Sequence, residues 1–445
     1  MENNAENQIK NIIIQFYLNS RDFNGIPFDK LYQEFGDEAV NCVISLAEEK
    51  IIDIYFDYEN PHVMRLPLDF EKTLEAFKDK TRKGEHKMEE VIDYISNVKT
   101  VVDNFCCCLY PSINLIKANL KSKFRNKYYS KKLALNRICL DYRVFDNKLL
   151  LEFIHDPRYS HYQGDFTGSI WYCDEHQLKS EQKFIPHYYF ALDKKTKQRK
   201  IAILLCDLHE LDGNYQKVLK DYELDYSNYT LHPESDKMIK GDWDIYTSIF
   251  EAFLKELEYI NAICKLCFGI EFFKNTFSEN TPNNFTFLLI PTEKEYQDFV
   301  HTLDKMLSDN INKDFFNHVD TESKIEKFET KKDVEGSEYK AEKGTLKLLK
   351  DWLLAYFKTL NQDKKDYPAD QICGQFRKIR SERSKGTGHS IISNNWDENL
   401  YAKQRELIKK TYGAIRLLRT VLQNIPGAKN IDIDQDVYEG NIISY

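Results

Sequence analysis

A chain of 445 residues is too long for one hydrophobic core, so its length predicts roughly two to four domains. The formal net charge of −8 excludes a uniformly basic nucleic-acid-binding surface, so any contact with nucleic acid needs a local basic patch. The ten cysteines lack the spacing of a disulfide framework, and the chain has neither an apolar run long enough to span a membrane nor an N-terminal segment typical of a signal peptide. We therefore expect a cytoplasmic protein with free thiols and no membrane contact.

The first 67 residues carry a recognisable order of elements. Apolar side chains at spacings of three and four over residues 8–35 predict helices, and a further helix starts near Asp37. Two short apolar runs around the turn at Asn60 and Pro61 predict a hairpin. In this order of helix, short helix, helix and hairpin, residues 1–67 resemble the winged-helix family.

The third helix of a winged-helix domain is the one that would read DNA, so its charge is informative. Here it carries acidic side chains that repel phosphate, so we expect a protein contact or a purely structural role, with a DNA-binding regulator as the disfavoured alternative. The acidic side chains are Asp37, Glu38, Glu48 and Glu49, set against Lys50.

A basic stretch follows a helical linker that is predicted over residues 68–105. Residues 117–137 contain eight basic side chains, and no acid lies between Asp103 and Asp141. Aromatic side chains are interleaved with them, so the stretch can follow a phosphate backbone while its rings stack on bases. The alternative is a solvated basic face. The RNA contacts predicted here are those of Lys121, Lys123 and Arg125.

Residues 106–320 are predicted to form a mixed α+β domain with a sensing or regulatory role. Short apolar runs between turn residues predict several strands, among them residues 148–154 and residues 200–211. A long helix is predicted over residues 241–270, and a buried strand over residues 285–291.

Three groups of side chains in this region have the chemistry of metal ligands, but their spacing argues against a site. Strand alternation would separate Asp207 and His209 from Glu210 and Asp212. The C-x-x-C pair at 264–267 lies in an apolar run, which predicts buried thiols. A third group does not match the ligand spacing of a closed zinc site, and we therefore predict no metal and no other cofactor. That group is His155, His161, Cys173 and His176.

The C-terminal quarter is predicted to be helical. Residues 320–344 are dense in mixed charge, which predicts an exposed connection between domains. Residues 340–445 repeat apolar side chains at spacings of three and four, as in a small helical bundle. The fold class expected for the whole chain is therefore multidomain α+β: a winged-helix-like N-terminal domain, a mixed middle domain and an all-α C-terminal bundle.

An arginine–histidine motif lies within the predicted bundle. Arg383 and His389 are separated by five residues, and two glycines between them, Gly386 and Gly388, are expected to loosen the helix. The pattern R-x5-H near the end of a helix in a compact bundle resembles the HEPN superfamily, many members of which are metal-independent endoribonucleases. The resemblance covers residues 340–445.

This resemblance implies that Arg383 and His389 are catalytic residues. A histidine titrates near neutral pH and can serve as general base or general acid, and an arginine is a permanent, forked cation that suits phosphate. One histidine cannot easily take both proton-transfer roles. In this superfamily two bundles pair, so the resemblance implies a homodimer. Further RNA contacts are predicted for Arg377, Arg380 and Lys385.

Proteins of this superfamily that join the bundle to other domains are often toxins or effectors of defence against phage. The resemblance thus implies an enzyme that cleaves tRNA or another cellular RNA. It also implies that the other domains restrain this activity and that a protein trigger or antitoxin controls it. One alternative is a non-catalytic HEPN-like protein that binds a nucleotide or dimerises. Another is a solvated basic helix end, with His389 near the last carbonyl groups.

Overall fold

The computed structural model describes residues 2–56, 69–86, 89–93, 98–102, 105–120, 124, 126–136, 140–154, 156–173, 185–319, 325–357, 368–387 and 394–445. The chain divides into two compact units. Unit 1 comprises Met1–His161, Ser169–Tyr189 and Ile201–Ser227, and unit 2 comprises Tyr162–Gly168, Phe190–Lys200 and Asn228–Tyr445. These units do not follow the predicted domain limits at residues 67, 105 and 320.

Helices and strands are mixed along the chain, which confirms the predicted α+β class. None of the helices in the described ranges has the length and apolar character of a membrane span. The helices are α1 (Glu2–Asn19), α2 (Phe28–Phe35), α3 (Asp37–Glu48), α4 (Phe70–Arg82), α5 (Ile113–Asn119), α6 (Tyr128–Asn136), α7 (Leu151–Ile154), α8 (Leu205–Glu210), α9 (Gly213–Tyr222), α10 (Pro233–Ile239), α11 (Ile249–Phe268), α12 (Glu293–Met306), α13 (Phe315–His318), α14 (Thr345–Tyr356), α15 (Ala369–Thr387), α16 (Asn399–Leu422) and α17 (Gln435–Glu439).

The strands form four sheets in the described part of the chain, with orders β1-β5-β2, β6-β10-β9-β8-β7 with β11 on β9, β12-β13, and β3-β4. They are β1 (Ile26–Pro27), β2 (Ile52–Phe56), β3 (Glu89–Asp93), β4 (Val98–Val102), β5 (Cys107–Pro111), β6 (Tyr142–Phe145), β7 (Tyr159–Gln163), β8 (Thr167–Tyr172), β9 (Ile185–Asp193), β10 (Arg199–Leu204), β11 (Tyr229–Leu231), β12 (Phe328–Lys332) and β13 (Glu338–Glu342).

The first sheet is antiparallel and carries the N-terminal core of unit 1. Leu109 of β5 lies opposite both Ile26 of β1 and Ile54 of β2, so β5 is the central strand. The second run of the predicted hairpin falls in residues 57–68, outside the described residues. The region predicted as a helical linker contains α4 and the β3–β4 pair, and α4 buries Leu74 and Phe77 in this same core. Apolar side chains three apart share one helix face, so α4 packs as part of the unit.

Two strand predictions in unit 1 are wrong in part or whole. Residues 148–154 are helical because Asp146 caps them: its Oδ1 accepts from the backbone N–H of Lys148 at 2.9 Å, and a 3₁₀ turn leads into α7. Residues 200–211 begin as β10, but the strand ends at Leu204 and α8 follows at once.

The core of unit 2 is helical and runs across the predicted boundary at residue 320. α11 and α12 contribute to one apolar core with α14, α15 and α16, around the fully buried Trp352. The predicted helix over 241–270 starts only at Ile249, because Ser248 is its N-cap and accepts from the backbone N–H of Glu251 at 3.1 Å. A bidentate ion pair, Arg419 to Glu256, joins α16 to α11 inside this core, with distances of 2.6 and 3.0 Å.

The segment 285–291 is buried as predicted, but it is not a strand. Gln404 of α16 takes the role of a neighbouring strand, since its side-chain amide accepts from Leu288 N–H and donates to the carbonyl of Thr286, both at 2.9 Å. Tyr401 donates to the carbonyl of Leu289 at 2.8 Å. Side chains of a helix thus satisfy backbone groups that the sequence pattern assigns to a sheet.

Candidate active site

The helix that carries the arginine motif has one apolar and one basic face. On α15 the buried side chains are Ala369, Ile372, Cys373, Phe376 and Ile379. This spacing of three and four fixes which side of the helix meets the core. The other side becomes basic toward the C-terminal end: residues 377–387 contain five basic side chains and one acid. Arg377 and Arg380 are exposed there.

Arg383 is tied to two carboxylates at the end of α12. Its Nη1 donates to Oδ2 of Asp304 at 2.9 Å and to Oδ2 of Asp309 at 3.0 Å. The Arg383 side chain retains 29% of its exposure, whereas that of Asp304 retains none. The hydrogen bond from Arg383 to Asp304 raises the pKa of the guanidinium above its ordinary value. Arg383 is therefore a permanent cation whose guanidinium is fixed in position on the bundle surface.

The two aspartates are positioned differently. Asp304 lies in the last turn of α12 on its buried side, and its Oδ1 has no hydrogen-bond partner among the described residues. Asp309 lies in the turn beyond α12, where its N–H donates to the carbonyl of Asp304 and Lys274 Nζ donates to its own carbonyl at 3.1 Å. Arg380 Nη2 donates to Oδ1 of Asp309 at 2.9 Å. The carboxylates thus hold two of the three predicted arginines together.

A histidine belongs to this cluster. His301 lies one helical turn before Asp304 on α12. Burial lowers its pKa below the ordinary value, and the positive charges of Lys305 and Arg383 act in the same direction, against Asp304 and Asp298. His301 is therefore subject to the charges of both Arg383 and Asp304.

Sequence reasoning missed Asp304, Asp309 and His301. A signal for Asp304 existed: it occupies the next position after Tyr296 and Val300 in a series with spacing four, which is otherwise apolar and buried. An acid at such a position needs a cationic partner from another helix. Asp309 and His301 carried no comparable signal, because neither stands in a run of buried apolar side chains at helical spacing.

Most of the remaining predicted site residues lie outside the described residues, and the others lie at the end of α15. α15 continues through Gly386 to Thr387. Gly388, the other glycine expected to loosen the helix, lies outside the described residues. Only the backbone of Lys385 is described. The other predicted residues lie outside the described residues: His389, Lys121, Lys123 and Arg125.

The acidic group after β10 has other partners. His209 Nδ1 lies 2.8 Å from Ser130 Oγ, and its Nε2 lies 2.9 Å from the carbonyl oxygen of Arg21. Glu210 pairs with Arg21, and Asp212 caps α9. Burial raises the pKa of Asp207 to about 6. Because these residues lie in a helix and the turn after it, the strand alternation expected for them does not apply.

The other two groups of potential ligands also have local partners. His161 Nε2 is 2.7 Å from Tyr188 Oη, and Cys173 Sγ is 2.8 Å from Ser160 Oγ. His155 and His176 lie outside the described residues. Cys264 is buried, as predicted, and burial raises the pKa of its thiol, whereas Cys267 is half-buried. In the part of the chain that is described, no three His, Cys, Asp or Glu side chains are grouped as metal ligands.

Comparisons with known proteins give the chain no relative. No protein-family model, no curated protein and no solved structure matches it. A functional assignment therefore has to start from the chemistry of its own side chains.

Proposed function

We propose that the C-terminal bundle is a metal-independent endoribonuclease of HEPN type, with Arg383 and His389 as its catalytic residues. The observation that carries this proposal is the anchored guanidinium of Arg383, held by Asp304 and Asp309 at the basic end of α15. A cation that is already oriented can stabilise a phosphate in the transition state without reorganising.

The reaction follows from the residue types. A histidine removes the proton from a ribose 2′-hydroxyl, and the 2′-oxygen then attacks the adjacent phosphorus. The bond from phosphorus to the 5′-oxygen breaks, and that oxygen takes a proton from a second acid. The products are a 2′,3′-cyclic phosphate and a 5′-hydroxyl. Arg383 compensates the negative charge on the phosphate, and the paired bundle of a homodimer supplies the second histidine.

The other parts of the chain fit a restraining role. The chain order α1-β1-α2-α3-β2 over residues 2–56 supports a winged-helix-like N-terminal domain. In the sheet, β5 lies between β1 and β2, although α4, β3 and β4 come between β2 and β5 in the chain. In α3, Glu48 pairs with Lys78 of α4 at 2.8 Å, and Asp37 accepts from Tyr32 Oη at 3.1 Å. An acidic helix that is partly covered by α4 favours contact with protein over contact with DNA. We infer a cytoplasmic toxin or defence effector that is controlled by a protein trigger or antitoxin.

One observation favours a second function. The ion pair between Arg383 and the buried Asp304 is also what a purely structural bond between α12 and α15 would look like. In that case the bundle binds a nucleotide or dimerises, and it does not cleave RNA.

The deciding experiment incubates the purified full chain with total RNA in EDTA. We expect cleavage to survive chelation and to leave 2′,3′-cyclic or 3′-phosphate ends. His389→Ala should abolish it, whereas His318→Ala, a change at the exposed end of α13 in the same unit, should not. Loss of cleavage in EDTA, or full cleavage by His389→Ala, would reject the proposed chemistry.

A further inference from the structure

The hairpin formed by β12 and β13 projects from unit 2 with both faces largely in solvent. Phe328 and Tyr339 are about half exposed, at 56% and 49%, and Val334 at the tip is fully exposed. The described contacts that hold it lie near its base: Lys347 pairs with Glu329, and Lys313 with Glu342. A two-stranded hairpin is only marginally stable in water, and an uncovered strand edge is a template for another strand.

Among the described residues, the edge of β12 that is not paired with β13 can be identified from the backbone hydrogen bonds of the hairpin. Lys343 N–H donates to the carbonyl of Lys327 at 2.8 Å, and Asp333 N–H donates to the carbonyl of Ser337 at 3.0 Å. Because the pattern alternates along an antiparallel pair, Glu329 and Lys331 also direct their backbone groups toward β13. The even-numbered residues, Phe328, Thr330 and Lys332, therefore direct theirs outward.

The charged side chains of β12 are complementary to those of β12 in a second, antiparallel copy of the chain. If two copies of β12 run antiparallel about a two-fold axis through Thr330, Glu329 lies opposite Lys331 of the second copy, and Lys331 lies opposite its Glu329. On the other face, Phe328 lies opposite Lys332, whose alkyl chain can cover the ring. The outward backbone groups of Phe328, Thr330 and Lys332 meet in the register that exchanges N–H···O bonds.

The edge of β13 has the opposite property. A two-fold axis through Lys340 would set that residue against its own copy, and Glu338 against Glu342 of the second copy. Like charges directly opposite each other are destabilising in a sheet. Self-association through this hairpin is therefore favoured at β12 and disfavoured at β13.

We propose that β12 pairs antiparallel with β12 of a second copy of this chain, with Thr330 on the two-fold axis, to form a four-stranded intermolecular sheet. The contact is smaller than a standard interface, so the dimer forms and dissociates with concentration. The inference does not rest on the proposed ribonuclease activity, since it depends on the hairpin alone.

Charge exchange tests the register. Sedimentation velocity of the full chain over a range of micromolar concentrations should show a reversible dimer. Lys331→Glu and Glu329→Lys should each raise the dissociation constant by about tenfold, because opposite charges across the axis become like charges. Glu329→Lys also removes the pair with Lys347 at the base of the hairpin, so Lys331→Glu is the cleaner single variant. The double variant, which exchanges the two charges, should recover dimerisation. Lys340→Glu is the matched control in the same hairpin and should leave it nearly unchanged.

Disulfide cross-linking tests the position of the two-fold axis. In a hydrogen-bonded antiparallel pair the Cα atoms are about 5.5 Å apart, which is within the range of a disulfide. Thr330→Cys should therefore yield a disulfide-linked dimer under mild oxidation, beyond the level seen for the native cysteines of the wild type. Lys340→Cys should not. A monomeric wild type, Lys331→Glu dimers as tight as wild type, or equal cross-linking at both positions would overturn the proposal.

Discussion

Arg383 and Asp304 form an ion pair in which only one partner reaches water. Their closest atoms are 2.9 Å apart, the aspartate side chain is completely buried, and the arginine side chain is 29% exposed. The ion pair joins the ends of α12 and α15. Because water reaches the arginine but not the aspartate, we expect the two residues to respond differently to substitution. Loss of the arginine leaves a buried charge with one partner fewer, whereas loss of the aspartate leaves a cation that can be hydrated.

The first prediction concerns stability. Arg383→Met should lower the free energy of unfolding by about 2–3 kcal/mol, less than for a fully buried pair because water reaches the guanidinium. Adding Asp304→Leu should restore most of the loss, because the buried charge is then removed as well. Urea unfolding of the full chain, followed by circular dichroism, measures both. A double variant as unstable as Arg383→Met alone would contradict the ion-pair account.

The second prediction separates catalysis from structure at the same position. Arg383→Lys keeps a cation near Asp304, so the fold should be retained, but it loses the planar fork that suits phosphate. We expect RNA cleavage to fall by about 100-fold, as for loss of one fixed transition-state donor. Arg377→Ala, on the exposed part of the same helix, should lower cleavage much less. Wild-type cleavage by a stable Arg383→Lys variant would favour the structural role.

The third prediction concerns the basic stretch of residues 117–137. Reversing Lys121, Lys123 and Arg125 to Glu should weaken RNA binding and flatten its salt dependence, by about 0.7 in slope for each lost phosphate contact on a single strand. Affinity is measured at several salt concentrations, with His389→Ala to prevent turnover. Changing Lys194, Lys195 and Lys197 to Glu, in the turn between β9 and β10, is the control of equal charge. Equal slopes for the two triple variants would restrict recognition to the bundle.

The fourth prediction is a pH dependence in unit 2. Burial and the charge of Arg199 lower the pKa of His232 from 6.5 to about 3. Between these values the unfolded chain binds the additional proton, so stability falls as pH decreases below 6.5, by up to about 1.4 kcal/mol per pH unit. His232→Asn keeps an N-cap acceptor for α10 but cannot titrate. Its unfolding free energy should depend less on pH between 5 and 7 than that of the wild type, and identical slopes would refute this origin.

Short-range pattern determined much of what the sequence could predict. The spacing of apolar side chains predicted α11 and the helical bundle that contains α14, α15 and α16, because a helix repeats its buried face every three or four residues. The basic end of α15 followed from the same periodicity, so Arg377, Arg380 and Arg383 could be assigned to one side of a helix.

Partners distant in sequence decided the rest. Residues 285–291 have the composition of a strand, yet Gln404, more than a hundred positions away, satisfies their backbone groups. In the sequence, Asp304 is an acid in an otherwise apolar series. In the fold, α15 places Arg383 beside it, although Arg383 lies 79 positions further along the chain. A buried polar group is stable only when a hydrogen-bonding or oppositely charged partner lies beside it. The packing of the whole core determines which segments lie close enough to provide that partner. For that reason the sequence predicted Arg383, while the tertiary structure determined the carboxylates that hold it.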